Sequence, residues 1–229
     1  MRLVAKETTV RAKTNVLAVD HHPVFCEGVA SIINRQPDMR VIAEANSGLE
    51  AIDLFRQHRP DVMVTDLRLP GMDGIEVTRT ICQEFPGSKV LILTACDGDE
   101  DIYRSFQAGA RGYLLKRTRR DDLIDAIRAL HGGHLSLPQL IATRLAGRVP
   151  TSDLTSRERE VLTGMIHGKS NKEIATRLFI SEGTVKVHVN SLMWKLRADN
   201  RTQAVVTALR RGIVHLEDEA LLNHAGSQP

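Results

Sequence analysis

Four side chains with the chemistry of phosphoryl transfer follow short apolar runs in the first half of this 229-residue chain. Asp20 and Asp66 each come directly after such a run, and so do Thr94 and Lys116. One carboxylate can attack a phosphoryl group and another can help to hold a hard cation, while a hydroxyl and an ammonium steady the phosphoryl oxygens. Asp66 is the natural acceptor, because the loop at 67–74 contains Pro and Gly and is expected to leave it exposed. The set predicts transfer of a phosphoryl group to Asp66.

The elements that must position these side chains are the strands of one sheet. Five apolar runs alternate with helical patterns, which is typical of a parallel sheet covered by helices on both faces. The carboxyl ends of such strands meet at one edge, where functional groups collect. The runs lie at 16–19, 41–44, 62–65, 90–93 and 112–115. We predict the α/β class, with a doubly wound five-stranded parallel sheet followed by a small all-α domain.

An aspartate nucleophile is also compatible with a phosphatase of the haloacid dehalogenase type. The pattern of that class places a second Asp two residues after the nucleophile, and here that position is Arg68. The chain contains no further set of acids and bases for attack by water. A capping Asp or a surface Lys could explain one of the four side chains, but not four at equivalent strand ends. We therefore predict that the protein is not an enzyme.

A second functional region lies at 154–212, where short amphipathic helical patterns are joined by a tight turn. Thr155 with Glu158, and Ser170 with Glu173, have the spacing of a capping box, in which a hydroxyl and a carboxylate satisfy free amides at a helix start. The third helical pattern of this region has an apolar stripe expected to be buried, which consists of Val185, Val189, Leu192 and Leu196. The arrangement predicts a helix-turn-helix that can enter the major groove of DNA.

The opposite face of that helix carries side chains that can read double-stranded promoter DNA. Lys186 can donate to guanine or phosphate, Asn190 can pair with adenine, and Val187 can touch a thymine methyl group. The predicted DNA contacts are Lys172, Thr184, Lys186, Val187, Asn190 and Lys195. Residues 151–217 include eleven Lys and Arg against seven Asp and Glu, whereas residues 14–150 include sixteen against eighteen. Because this excess is modest, tight binding would need two copies of the chain.

Three stretches of this region, at 154–162, 170–175 and 184–189, resemble the LuxR-type helix-turn-helix. The resemblance implies a homodimer, at least on DNA, with a fourth helix at 201–210 as the dimer contact. Asn190 and Trp194 stand where members of that family often have basic residues. This difference implies fewer phosphate contacts and a different base preference.

The region at 15–133 resembles the flavodoxin-like receiver domain of bacterial response regulators. With the LuxR-type segment, the whole chain resembles a NarL/FixJ-type regulator. The resemblance implies that Asp66 is the phosphoacceptor for a sensor histidine kinase, that Thr94 is the switch hydroxyl and that Lys116 pairs with the phosphate. It also implies that rotation of Tyr113 reports the switch.

The same resemblance implies a Mg²⁺ ion held by Asp66, the backbone carbonyl of Arg68 and an acidic pair after the first strand. Asp20 is one member of that pair, but His21 stands where relatives usually have a second Asp, and Mg²⁺ strongly prefers oxygen ligands. Three outcomes are open. Phosphorylation could be weak and poor in Mg²⁺, the receiver could be independent of phosphate and set by dimerisation or a protein partner, or His21 could recruit a softer divalent ion.

Length and composition limit the remaining possibilities. The chain has no apolar stretch near the roughly 18 residues that span a bilayer, and its start lacks the apolar core of a secretion signal, so we expect a cytoplasmic protein with no membrane partner. Cys26, Cys82 and Cys96 are an odd number without a close pair, which favours small buried hydrophobes over a disulfide framework. The predicted parts are a mobile basic leader at 1–13, a receiver domain at 14–134, a linker with a short helix at 135–152, a helix-turn-helix domain at 153–217 and a flexible tail at 218–229.

Overall fold

The computed structural model of the protein describes residues 13–147 and 154–216. These residues form two compact units, one from 13–95 and 105–138 and the other from 96–104, 139–147 and 154–216. A parallel sheet organises the first unit, and the second is helical. Each unit has its own cluster of buried apolar side chains. The predicted fold class is confirmed, while the predicted domain bounds remain predictions.

Five parallel strands form the sheet, in the order β2-β1-β3-β4-β5. β1 pairs with both β2 and β3, so the direction in which the sheet grows reverses beside β1. The strands are β1 Thr14–Val19, β2 Met39–Ala45, β3 Val62–Thr65, β4 Val90–Thr94 and β5 Gly112–Leu115. β3, β4 and β5 are buried along their whole length. Burial on both faces explains why they appear in the sequence as continuous apolar runs.

Helices follow the strands, and their starts have identifiable causes. α1 begins at Pro23, whose fixed φ suits the first helical turn. α2 and α3 follow Ser47 and Asp73, whose side chains accept hydrogen bonds from the backbone amides of Glu50 and Glu76. The helices are α1 Pro23–Asn34, α2 Gly48–His58, α3 Gly74–Glu84, α4 Asp99–Gln107 and α5 Arg120–His131.

The remaining described helices are α6 Gln139–Ala146, α7 Ser156–Ile166, α8 Asn171–Leu178, α9 Glu182–Leu196 and α10 Arg201–Arg211. Both predicted capping boxes are present, one between Thr155 and Glu158 and one between Ser170 and Glu173. The predicted apolar stripe of α9 is buried in the core of this unit. The helical spacing read from the sequence therefore identifies the packed face of α9 correctly.

Some predictions fall on residues outside the described ranges. These are the leader up to residue 12, residues 148–152 of the predicted linker and the tail from 218. Among the described helices, none is both long and apolar enough to cross a membrane. Cys26 is buried as expected, and burial raises the pKa of its thiol to about 12, whereas Cys82 and Cys96 are only partly buried.

A buried ion pair joins α7 to α9. The Glu158 carboxylate lies 2.7 Å from Lys195 Nζ and accepts a hydrogen bond of 2.6 Å from Ser191 Oγ. Burial opposes the charge on Glu158, but the hydrogen bonds from Lys195, Ser191 and Thr155 outweigh it and lower the pKa to about 2. The charged form of Glu158 therefore stabilises the packing of these two helices.

We expect Glu158→Gln to lower the free energy of unfolding of the helical unit by about 2 to 3 kcal/mol at pH 7. The reason is that a pKa below the ordinary carboxyl value shows that the folded state stabilises the charged form of Glu158. This contribution is present above the ordinary carboxyl pKa and is lost as the pH falls towards 2. The difference between wild type and variant in thermal or urea unfolding should thus shrink by more than half at pH 3. Glu160→Gln is the control, since Glu160 forms a half-exposed pair with Arg157 and should cost less than about 1 kcal/mol. A gap between wild type and Glu158→Gln that does not change with pH would contradict the assignment.

Candidate phosphoacceptor site and nucleic-acid interface

The predicted phosphoryl-transfer residues meet at the carboxyl edge of the sheet. Asp20 follows β1, Asp66 follows β3 and Lys116 follows β5. Lys116 Nζ lies 2.7 Å from Oδ2 of Asp20 and 2.7 Å from Oδ2 of Asp66. The other oxygen of Asp66, Oδ1, accepts a hydrogen bond of 2.6 Å from the amide of Leu67. One ammonium thus bridges two carboxylates that lie far apart in the sequence.

Both carboxylates are buried, which corrects the expectation that the 67–74 loop leaves Asp66 exposed. Asp20 and Asp66 are each only 4% exposed. The loop closes on the strand end, because the Gly74 amide donates to the carbonyl of Leu67 at 2.8 Å. A Cβ at Gly74 would collide with the carbonyl oxygen of Asp66, so only glycine allows this approach. The sequence correctly indicated a loop, but not that the loop folds back against the backbone of Asp66.

Lys116 is charged in this environment. Burial opposes its charge, but hydrogen bonds to Asp20 and Asp66 outweigh burial and raise the pKa of its ammonium. Its Nζ also lies 4.4 Å from the centre of the Phe25 ring, which favours a cation. The ammonium of Lys116 therefore binds both carboxylates as a cation.

Thr94 and Tyr113 lie on the strands beyond β3. Thr94 ends β4 and is buried, and the backbone amide of Lys116 donates to the Thr94 carbonyl at 2.7 Å. Tyr113 lies in β5 with its side chain fully buried. The structure thus brings Thr94 to the same sheet edge as Asp66 and holds the Tyr113 ring inside the unit. Their roles in a switch stay predictions.

Two adjacent histidines complete the pocket. Nδ1 of His21 lies 3.8 Å from Oδ2 of Asp66 and 4.0 Å from Oδ1 of Asp20. Nδ1 of His22 lies 3.2 Å from Oδ1 of Asp20, and its backbone amide donates to the same oxygen at 2.9 Å. Sequence reasoning gave His22 no role. Its position beside His21 in the turn before Pro23 was the available signal.

The predicted DNA-contacting side chains divide into two groups. Lys172 on α8 and four residues of α9 are exposed, namely Thr184, Lys186, Val187 and Asn190. Lys186 forms an exposed ion pair of 3.3 Å with Glu182. Lys195, in contrast, has a side chain only 15% exposed that is bound to Glu158. Its assignment as a DNA contact is therefore corrected: Lys195 stabilises the packing of α7 and α9.

Comparisons with known proteins identify the family. Residues 16–128 match the response regulator receiver domain, and residues 152–208 match the luxR family of bacterial regulatory proteins. The chain is 39% identical over 208 residues to the transcriptional regulatory protein LiaR of Bacillus subtilis, covering 87% of this chain and 99% of LiaR. The chain belongs to the LuxR family of two-component response regulators. The predicted family is confirmed, and with it a receiver joined to a LuxR-type DNA-binding domain.

Other relatives agree with this family. The response regulator VraR of Staphylococcus aureus is 36% identical over 204 residues, which cover 87% of this chain and 98% of VraR. The crystal structure of response regulator ChrA, from a heme-sensing two-component system, has 39% identity and a TM-score of 0.54 over 89% of this chain and 100% of ChrA. A structure of the RcsB–DNA complex has 25% identity and a TM-score of 0.63 over 86% of this chain and 98% of the RcsB chain.

The side chains of this receiver pocket do not fit the Mg²⁺ ion that the family implies. Mg²⁺ requires near-octahedral oxygen ligands and loses its water reluctantly. Asp20 and Asp66 offer oxygens, but His21 points an imidazole nitrogen at both carboxylates. The ammonium of Lys116 already neutralises part of their charge. The carbonyl of Arg68, two residues after Asp66, stays a predicted ligand.

We expect Lys116→Met to lower the free energy of unfolding of the receiver by about 3 kcal/mol, because it leaves two buried carboxylates without their cation. Adding Asp20→Asn to this variant should recover part of the loss, since one uncompensated charge is removed. Urea unfolding of the full chain measures both effects. Lys89→Met is the control, because the Lys89 ammonium donates to the His131 carbonyl at the surface and not to a buried carboxylate. An equal loss in Lys89→Met, or no recovery in the double variant, would refute the role given to Lys116.

Proposed function

We propose that this response regulator accepts a phosphoryl group on Asp66 from a sensor histidine kinase, and that the modification controls its binding to promoter DNA as a homodimer. The observation that carries the proposal is the buried contact between Asp66 and Lys116 at the carboxyl edge of the sheet. That contact occurs in a chain that also has a LuxR-type domain. The proposed phosphoacceptor and the DNA-binding domain therefore belong to one molecule.

The two oxygens of Asp66 differ in their surroundings, and this difference favours Oδ2 as the nucleophile. Oδ1 is bound by the backbone amide of Leu67, whereas Oδ2 is bound by the side-chain ammonium of Lys116. In the proposed step Oδ2 forms a bond to phosphorus while the phosphorus–nitrogen bond to the kinase histidine breaks, and its electron pair stays on the imidazole. Lys116 then pairs with a phosphoryl oxygen and offsets the added negative charge.

Thr94 and Tyr113 would convert this local change into a change of state. A phosphoryl group on Asp66 offers new acceptor oxygens to the hydroxyl of Thr94 at the same sheet edge. Tyr113 is fully buried, which supports an inward ring position in one of the two states. Differential binding of the phosphoryl group by the two states would shift their populations towards the dimerising form.

On DNA, α9 is the proposed recognition helix. Lys186, Val187 and Asn190 are exposed on it and carry donor, apolar and amide chemistry suited to base edges. α10 has Val206 exposed, which supports an apolar contact with a second copy. The solved RcsB structure that resembles this chain is a DNA complex, and this likeness supports the same use of the LuxR-type domain here.

A second function is favoured by His21. If the receiver does not take phosphate, it acts as a docking domain, and dimerisation or a protein partner sets DNA binding. The imidazole of His21 in place of the second carboxylate is the observation that supports this alternative. Both functions keep the same DNA-binding output and differ only in what controls it.

Incubation of the full chain with acetyl phosphate or phosphoramidate should add one phosphoryl group, detected as a single mass increment of the intact protein. Parallel samples contain Mg²⁺ or Mn²⁺, and Asp66→Asn should show no increment because the nucleophilic oxygen is lost. Size exclusion should show a shift towards dimer in the wild type alone. Absence of an adduct from both donors would reject phosphorylation of Asp66 and leave the phosphate-independent receiver.

DNA binding should depend on the exposed face of α9. Preferred sites are first selected from a pool of random duplexes, and affinity is then measured at several salt concentrations. Asn190→Ala should cost about 1 to 3 kcal/mol and relax the preference at one base position. Lys186→Ala should weaken binding and, if it contacts phosphate, reduce the salt slope by about one. Lys89→Ala, a surface change in the receiver, should leave affinity unchanged, and unaltered binding by both α9 variants would refute the interface.

A further inference from the structure

We propose that Asp20, His21, His22 and Asp66 form a binding site for a divalent transition-metal ion, with Zn²⁺ bound in preference to Mg²⁺. Each of the four residues offers one ligand atom, and these atoms all lie within 4.8 Å of one another. The set contains two imidazole nitrogens and two carboxylate oxygens. Nitrogen and oxygen donors in this ratio suit Zn²⁺ and similar ions, whereas Mg²⁺ favours oxygen alone.

The orientation of His21 is the observation that points to an ion. Its Nδ1 is buried and has no hydrogen-bond partner among the described residues. The same atom faces Asp66 Oδ2 at 3.8 Å and Asp20 Oδ1 at 4.0 Å, which is too long for a hydrogen bond. Two ligands of one tetrahedral Zn²⁺ at ordinary bond lengths lie about 3.4 Å apart. Small movements of the side chains would therefore place one ion between these atoms.

The backbone holds the histidines close to the carboxylates. The backbone amide of His22 donates to Oδ1 of Asp20, and Nδ1 of the His22 ring lies 3.2 Å from the same oxygen. The two imidazole rings are in contact, with centroids 3.7 Å apart. Pro23 begins α1 directly afterwards and restricts the conformation of His22. The turn between β1 and α1 thus presents both rings on the same side as Asp20.

The ligand types also favour a softer ion. Lys116 pairs with both carboxylates and opposes every divalent cation to the same extent. Mg²⁺ depends on oxygen ligands and gains little from imidazole nitrogens that could compensate for this opposition. Neutral imidazole nitrogens bind Zn²⁺ without adding negative charge. The two imidazoles of the set should therefore make the pocket selective for Zn²⁺ over Mg²⁺.

The proposal is independent of phosphorylation, because the ion would bind to unmodified Asp66. Selectivity is measured by calorimetric titration of the untagged full chain at pH 7 with Zn²⁺, Mn²⁺ and Mg²⁺ separately. The wild type should bind Zn²⁺ at least about tenfold more tightly than Mg²⁺. Co²⁺ bound at the same site provides a visible absorption spectrum that reports nitrogen and oxygen ligation. Equal or tighter binding of Mg²⁺ by the wild type would overturn the proposal.

Substitution of His21 tests whether Zn²⁺ binds in this pocket. His21→Ala should weaken Zn²⁺ binding by about 10- to 100-fold without a gain for Mg²⁺. His21→Asp restores an oxygen ligand and should strengthen Mg²⁺ binding while it weakens Zn²⁺ binding, which a simple loss of folding cannot produce. His58→Ala is the matched control, since this imidazole is exposed at the end of α2 and should change neither affinity.

A second set of donors in the helical unit provides the competing explanation. Cys96, Asp101 and His215 also place one ligand atom each within 4.8 Å of one another. Cys96→Ser should leave the Zn²⁺ affinity assigned to His21 unchanged. If Cys96→Ser abolishes the binding and His21→Ala does not, the ion belongs to the other set and the proposal fails. Unfolding curves of every variant, recorded without metal, confirm that each loss arises in a folded protein.

Discussion

The ammonium of Lys116 is the interaction on which the functional edge of the receiver depends. β1 and β3 are adjacent parallel strands, with Val19 paired to Thr65, so the sheet itself brings the following carboxylates together. Two buried carboxylates repel each other and are costly to desolvate. Lys116 offsets both effects with two contacts of 2.7 Å. The arrangement of side chains at this edge of the sheet therefore depends on the ammonium of Lys116.

The helical unit also contains a buried pair of a lysine and a carboxylate, and this pair has a different role. Glu158 is buried and receives hydrogen bonds from Lys195, Ser191 and Thr155, so all of its capacity is used within the fold. In the receiver, the ammonium of Lys116 is bound to two carboxylates that follow different strands. One buried pair fixes the packing of α7 against α9, and the other holds the carboxylates that follow β1 and β3 together. The side chains of Lys116 and Lys195 are similarly exposed, at 17% and 15%, so the difference lies in what each ammonium joins and not in its access to solvent.

Much of the fold could be predicted from local patterns, because continuous apolar runs, capping boxes and a helical stripe are set by short-range sequence. The two corrections involve contacts that apolar runs and helical spacing do not show. The folding of the 67–74 loop against the backbone of Asp66 requires the close approach of Gly74, which composition alone does not indicate. Lys195 is paired across 37 positions with Glu158. Helix geometry could have indicated that Lys195 does not share the exposed face of Lys186, since the two residues lie about 180° apart around α9 at 100° per residue.

The competing demands on this pocket meet at one atom, Oδ2 of Asp66. It accepts a hydrogen bond from Lys116, lies 3.8 Å from Nδ1 of His21 and is the oxygen proposed to attack phosphorus. The ammonium of Lys116 offsets part of the cost of burying the two carboxylates. In the proposed metal site, the imidazole of His21 sets the preference for one ion over another. Lys116 and His21 would then act on two separate properties of the same pocket, namely the stability of the carboxylate pair and its selectivity for a cation.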